Sequence, residues 1–150
     1  AFASHFAPAE LERAIAIYRE RFQPSAQLDQ PYVMAGLNVV AAETDAEARY
    51  LFTSTQQAFA NIRSGRPGKL PPPVDDIEPL LEGPVKLMLS QFLSEAVVGS
   101  PSTVRQGVSD FVARTGVDEI IVTAQIYDHA ARVRSYELLA EVREDLARAA

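Results

Sequence analysis

Residues 118–142, DEIIVTAQIYDHAARVRSYELLAEV, open as alternating β-branched residues and become a helical pattern with no Gly or Pro between the two. The spacing predicts a strand over 118–127 and an amphipathic helix over 129–148, with Tyr136, Leu139, Val142 and Leu146 turned inward. Just upstream, Gly99 and Ser100 end a short apolar stretch and Pro101 suits a first helical turn. Val104, Val108, Phe111 and Val112 then share one face up to the stop at Gly116, so a helix is expected over 101–115. A helix, a strand and a second helix in immediate succession make a parallel βα arrangement the economical reading.

Two earlier segments repeat the pattern. AFASHF (1–6) reads as the end of a buried strand and leads into a helix at about 8–22, whose apolar positions Leu11, Ala14, Ile15, Tyr18 and Phe22 recur at helical spacing. PYVMAGLNVVAA (31–42) is a continuous apolar run, the signature of a strand covered on both faces. Thr44 or Asp45 then caps a helix reaching about Ile62, with Ala48, Leu51, Phe52, Thr55, Phe59 and Ile62 as its inner stripe. SGRPGKLPPPVDD (64–76) holds two Gly and four Pro, reads only as a loop, and is long enough to cover an open face. Short helical turns are expected around 77–81 and 85–93. Three strand-plus-helix units without a hairpin signal imply parallel strands joined by right-handed crossovers.

Composition limits the function. A net charge of -6 and a pI near 4.9 argue against a phosphate-neutralising grip on nucleic acid. With no cysteine, disulfides, thiolate nucleophiles and Cys-ligated zinc are excluded, and His5 and His129 are the two imidazoles, so no metal site is expected. The chain has no apolar run of about 18 residues, so no membrane partner is expected and a cytoplasmic location is the default.

AFASHFAPAELERAIAIYRERFQPS, YVMAGLNVVAAETDAEARYLF and VVGSPSTVRQGVSDFVARTGVDEIIVTAQIYDHAARVRSYELLAEV together resemble the carboxyl-terminal part of the bacterial luciferase-like flavin-dependent monooxygenases. The resemblance implies an α/β fold, a partial TIM (β/α)8 barrel of about the last three βα units. Residues 1–150 would form the carboxyl-terminal part, with 1–6, 31–42 and 118–127 as strands six, seven and eight. It further implies that reduced FMN, supplied by a flavin reductase, reacts with O2 to oxygenate a small organic substrate in a site closed to water. A deazaflavin replaces FMN in related families. FMN's ring and phosphate would be held largely by earlier parts of the barrel, and no Gly-rich phosphate loop occurs here.

Catalysis in such barrels sits at the carboxyl ends of the strands, which singles out Ser4, His5, Asn38, Gln125, Tyr127, Asp128 and His129. His5 is the candidate catalytic residue, to hydrogen-bond the cofactor at its reacting end, unless it serves only a backbone carbonyl. Ser4 and Asn38 are the candidate cofactor contacts; a buried Asn38 needs either a neighbouring strand residue or a ligand as partner. Gln125, Tyr127 and His129 are the candidate substrate contacts, although His129 also suits an exposed rim position. Asp128 is expected to cap the last helix. Two readings of different class stay open: part of a monooxygenase, completed by the remainder of the barrel, or a non-catalytic domain that self-associates and binds no flavin. Open strand edges favour a homo-oligomer if no other segment covers them.

Overall fold

The computed structural model describes residues 1–5, 8–81 and 83–149. The apolar run read as doubly covered forms β1 (Met34–Ala41), the middle strand of a parallel three-stranded sheet of order β2-β1-β3. β3 (Glu119–Thr123) pairs along one edge, from Met34 opposite Glu119 to Asn38 opposite Thr123. β2 (Val97–Gly99) pairs along the other, from Val39 opposite Val97 to Ala41 opposite Gly99. Phe2 forms an isolated parallel bridge to Ala35, its N–H donating to the Met34 carbonyl and its own carbonyl accepting from Gly36 N–H, both at 2.8 Å. Backbone groups of successive strand residues point to opposite edges. Met34, Gly36 and Ala42 bond Phe2 and Gly99, whereas Val33 accepts from Asp118 and Glu119. Phe2 and β2 therefore share one edge of β1 in tandem, and β3 has the opposite edge. Among the described residues the sheet does not close.

Side-chain alternation divides the two faces. Val33, Ala35, Leu37, Val39 and Ala41 pack with Leu11 and Ile15 of α1 (Leu11–Arg21), Val104 and Phe111 of α4 (Pro101–Thr115), and Leu138 and Val142 of α5 (His129–Ala149). Burying each large aliphatic side chain here contributes about 1.5–3 kcal/mol relative to exposure, which makes this layer the main source of stability. On the other face, near the carboxyl ends of the strands, Val40, Ala42, Ala124 and Ile126 pack under Ala48 and Leu51 of α2 (Asp45–Arg63). A third cluster joins Phe59 and Ala60 of α2 to Leu81 and to Leu89 of α3 (Pro84–Phe92).

Helix ends follow local chemistry. Thr44 Oγ1 accepts from Glu47 N at 3.2 Å and starts α2; Gly116 ends α4 in a left-handed conformation, φ 60°, that a side chain would strain. The Arg19 guanidinium reaches from α1 to the carbonyls of Thr115 and Gly116 and satisfies the open end of α4.

The structure departs from the sequence reading in several places. Within 1–6, Phe2 is the residue that pairs; Phe6 lies outside the described residues. The strand expected over 118–127 stops at Thr123, because Ala124 N–H donates to Tyr136 Oη at 3.1 Å and the Gln125 carbonyl accepts from Thr55 Oγ1 at 2.8 Å. Side chains from two helices thus take the backbone groups that a longer strand would offer to a neighbour. In α5 the buried line runs through Ser135, Leu138 and Val142, and Tyr136 is exposed; Ser135 is inward because its Oγ accepts from Ala41 N at 2.9 Å. Ile62, expected in the inner stripe of α2, is exposed near that helix's end. Loop 64–76 contains no helix or strand and is tied to α2, where Val74 N–H donates to Thr53 Oγ1 and Gln57 Nε2 to the Pro72 carbonyl, both at 2.9 Å.

Candidate functional site at the strand ends

The even-numbered residues of β1 face away from the helical layer of α1, α4 and α5, and two of them meet residues 4–5. Asn38, only 6% exposed, donates through Nδ2 to the His5 carbonyl at 3.0 Å and accepts through Oδ1 from Thr123 Oγ1 at 2.7 Å. A buried amide needs partners at both ends, and these come from the segments on either side of β1. Ser4, 3% exposed, donates through Oγ to the Gly36 carbonyl at 2.6 Å. The His5 imidazole lies over Gly36: a Cβ at that position would sit 2.2 Å from His5 Nδ1. A glycine inside a β-branched strand marks such a close approach. Burial holds the His5 pKa below the ordinary 6.5, because desolvation disfavours the imidazolium, so the ring is neutral at pH 7.

The remaining candidates are placed differently. The Gln125 side chain is half-buried just past β3, and its carbonyl is held by Thr55. Tyr127 is 55% exposed. His129 is exposed at the first turn of α5, with Nδ1 2.9 Å from Arg132 Nη2. Asp128 caps that helix, its Oδ1 accepting from Ala131 N at 2.8 Å. The structure therefore gathers Ser4, His5 and Asn38 in one hydrogen-bonded group and leaves Tyr127 and His129 on the rim. Gly36 and Thr123 complete the group, and the sequence reading passed over both. Gly36 carried a signal, a glycine in a strand; Thr123 carried none, since its role depends on standing opposite Asn38 in the β1–β3 register.

Electrostatics decide what else this end of the sheet can hold. A helix start attracts anions through its free N–H groups. Here α2 begins with Asp45 and Glu47, α4 is joined at its start by the Asp45 carboxylate, and α5 is capped by Asp128. Asp45 Oδ1 accepts from Ser100 N at 2.7 Å and from Thr103 Oγ1 at 2.8 Å, bonds that hold its pKa below the usual carboxylate value. Three helix starts thus already carry negative charge, and none is a phosphate cradle. Among the described residues no group of three or more His, Asp or Glu side chains gathers as metal ligands, and no helix is long and apolar enough to cross a membrane.

A parallel sheet whose strands alternate with helices, with polar groups gathered beside the middle of β1 and the carboxyl end of β3, has the construction of a β/α-barrel segment. No protein-family profile matches the chain. Over 146 residues it is 44% identical to the luciferase-like monooxygenase of Escherichia coli strain K12, covering 97% of this chain and 44% of that one. It is 42% identical over 142 residues to the uncharacterized protein YvbT of Bacillus subtilis strain 168, covering 95% of this chain and 42% of that protein. The crystal structure of apo-MsnO8 superposes with a TM-score of 0.82 at 31% identity, over 95% of this chain and 43% of that one. The monooxygenase RslO1 from Streptomyces bottropensis shares the fold, with a TM-score of 0.50 at 19% identity. Over nearly its whole length the chain is similar to luciferase-like monooxygenases, and it spans less than half the length of the curated relatives it matches, 44% of the Escherichia coli protein.

Proposed function

We propose that this chain supplies one wall of the active site of a flavin-dependent monooxygenase that uses reduced FMN, delivered by a separate reductase, and O2 to oxygenate a small organic substrate. The observation that supports this reading is the joined group of Ser4, His5, Asn38 and Thr123, which lies beside the carboxyl end of β3, and barrel enzymes carry out their chemistry at strand ends. The reduced flavin, when bound, supplies the electrons that activate O2. His5 is the catalytic residue in this scheme: a neutral imidazole can both donate and accept a hydrogen bond at the reacting edge of the ring. Ser4 and Asn38 hold the segment that carries it and border the cofactor, while Gln125, Tyr127 and His129 border the substrate. The residues fit the ring of FMN, or of a deazaflavin, and do not fit its phosphate, since the helix starts are occupied by carboxylates. The phosphate belongs with other parts of the barrel.

This division is open to a direct test. Fluorescence titration of the 150-residue chain with FMN and with phosphate-free lumiflavin, each run with mass determination by size exclusion, should give saturable binding with dissociation constants within about threefold of each other, because only the ring is recognised. The His5→Ala variant should bind about tenfold more weakly, the loss of one hydrogen bond in a partly dry site. Absence of saturable binding to either flavin overturns the reading. A second reading, a non-catalytic domain that self-associates, is favoured by the exposure of Ile121, 51%, on β3, the edge strand of the sheet. An oligomeric mass without flavin binding is its signature.

A further inference from the structure

We infer that Thr123 is a positioning residue that sets His5 through Asn38. The inference rests on His5 as the residue at the reacting edge, and it follows from what each atom can do. The His5 carbonyl can only accept a hydrogen bond, so Asn38 must turn its amide nitrogen toward it. The amide oxygen then faces β3, where it requires a donor, and the Thr123 hydroxyl stands directly opposite in the register and donates. The orientation of Asn38 is therefore imposed by its two neighbours. A flipped amide would set its oxygen against the His5 carbonyl and break the bond to the segment that carries the imidazole.

The chain of bonds crosses three pieces of backbone distant in sequence, from β3 through β1 to residues 4–5, on the face that carries the imidazole. It acts with two further restraints on the same ring. Gly36 leaves the space that the imidazole fills, and Ser4 Oγ fixes the preceding residue to the Gly36 carbonyl. Thr123 joins the group through its hydrogen bond to the Asn38 amide oxygen, and its hydroxyl acts on His5 along that bond. Asn38 is nearly enclosed, and its oxygen has little access to water as a substitute donor.

The test replaces the hydroxyl with a group of the same shape. In Thr123→Val the Asn38 oxygen loses its donor, the amide no longer holds the His5 carbonyl, and the imidazole becomes more hydrated. The NMR titration of His5, whose midpoint lies below 6.5 in the native chain, should move upward toward that value. Thr123→Ser, which keeps the hydroxyl, should restore the native midpoint. Asp128→Ala, which removes a helix cap on the rim, should leave it in place even though it lowers stability. The native chain offers a readout that needs no variant: the Asn38 side-chain amide protons should exchange with solvent at least about tenfold more slowly than those of an exposed Asn, as expected for a buried, bonded group. Unprotected Asn38 amide protons, or a His5 midpoint that Thr123→Val leaves unmoved, overturns the inference. Neither measurement uses flavin, so a failure here is distinct from a failure of flavin binding.

Discussion

The two faces of β1 are built from one strand by different means. On the side toward α1, α4 and α5, Ala35, Leu37 and Val39 are enclosed among aliphatic side chains from three helices. On the other side, Gly36 and Asn38 meet an imidazole, a hydroxyl and a carbonyl, and β3 contributes an exposed isoleucine. Hydrophobic burial is non-directional, so the first face needs only residues of the right volume. The second depends on direction: each buried polar atom has one position from which it can be satisfied. The larger apolar layer thus lies on one face, while around Gly36 and Asn38 the other face carries positional definition, a division suited to a site that must place groups against a ligand.

Three substitutions would sharpen or break this contrast. Leu37→Ala, on the helical face, should cost about 2–5 kcal/mol in chemical denaturation, because a cavity opens around a fully buried side chain. Its effect on the His5 titration should be small; a large one would mean that the two faces are not separable. Gly36→Ala should cost less, about 1–3 kcal/mol, since the added methyl overlaps the imidazole and not the backbone of a neighbour, and His5 must swing away. The His5 resonances should change more in this variant than in any helical-face variant. A stability loss from Gly36→Ala exceeding that of Leu37→Ala would reverse the contrast. Arg134→Ala removes exposed ion pairs with Glu43, Glu137 and Glu141 on the rim and should shift stability by no more than about 0.5 kcal/mol. A larger shift in the same denaturation experiment would make the rim a third structural region.

What could be read from the sequence tracks the range of the interaction concerned. α4 forms at Pro101–Thr115, the bounds its proline and glycine signals give, and Asp128 caps α5, because caps and stops are decided within a few residues. The apolar run that became β1 was legible for the same reason. β2 was not: three residues are too few to show a period, and they become a strand only because β1 offers an open edge there. The early end of β3 was hidden because the groups that stop it, Thr55 and Tyr136, lie on helices before and after it. At the site, the rule that chemistry gathers at strand ends pointed to Ser4, His5 and Asn38, which do come together. It gave no access to Thr123 or to the seat that Gly36 provides, since both depend on register between strands far apart in the chain.

The Pro-rich loop leaves one short stretch of the chain with room to spare. Arg66 N–H is still tied back to the Asn61 carbonyl, and from Pro72 onward the backbone is tied to α2, so the slack lies between these anchors. A Cβ added at Gly68 would meet no atom within 4 Å. For anyone engineering this protein, the Gly68–Lys69 bond is therefore the natural place to graft a peptide tag or to divide the chain into two complementing halves, because both ends of the break stay fastened to the same helix.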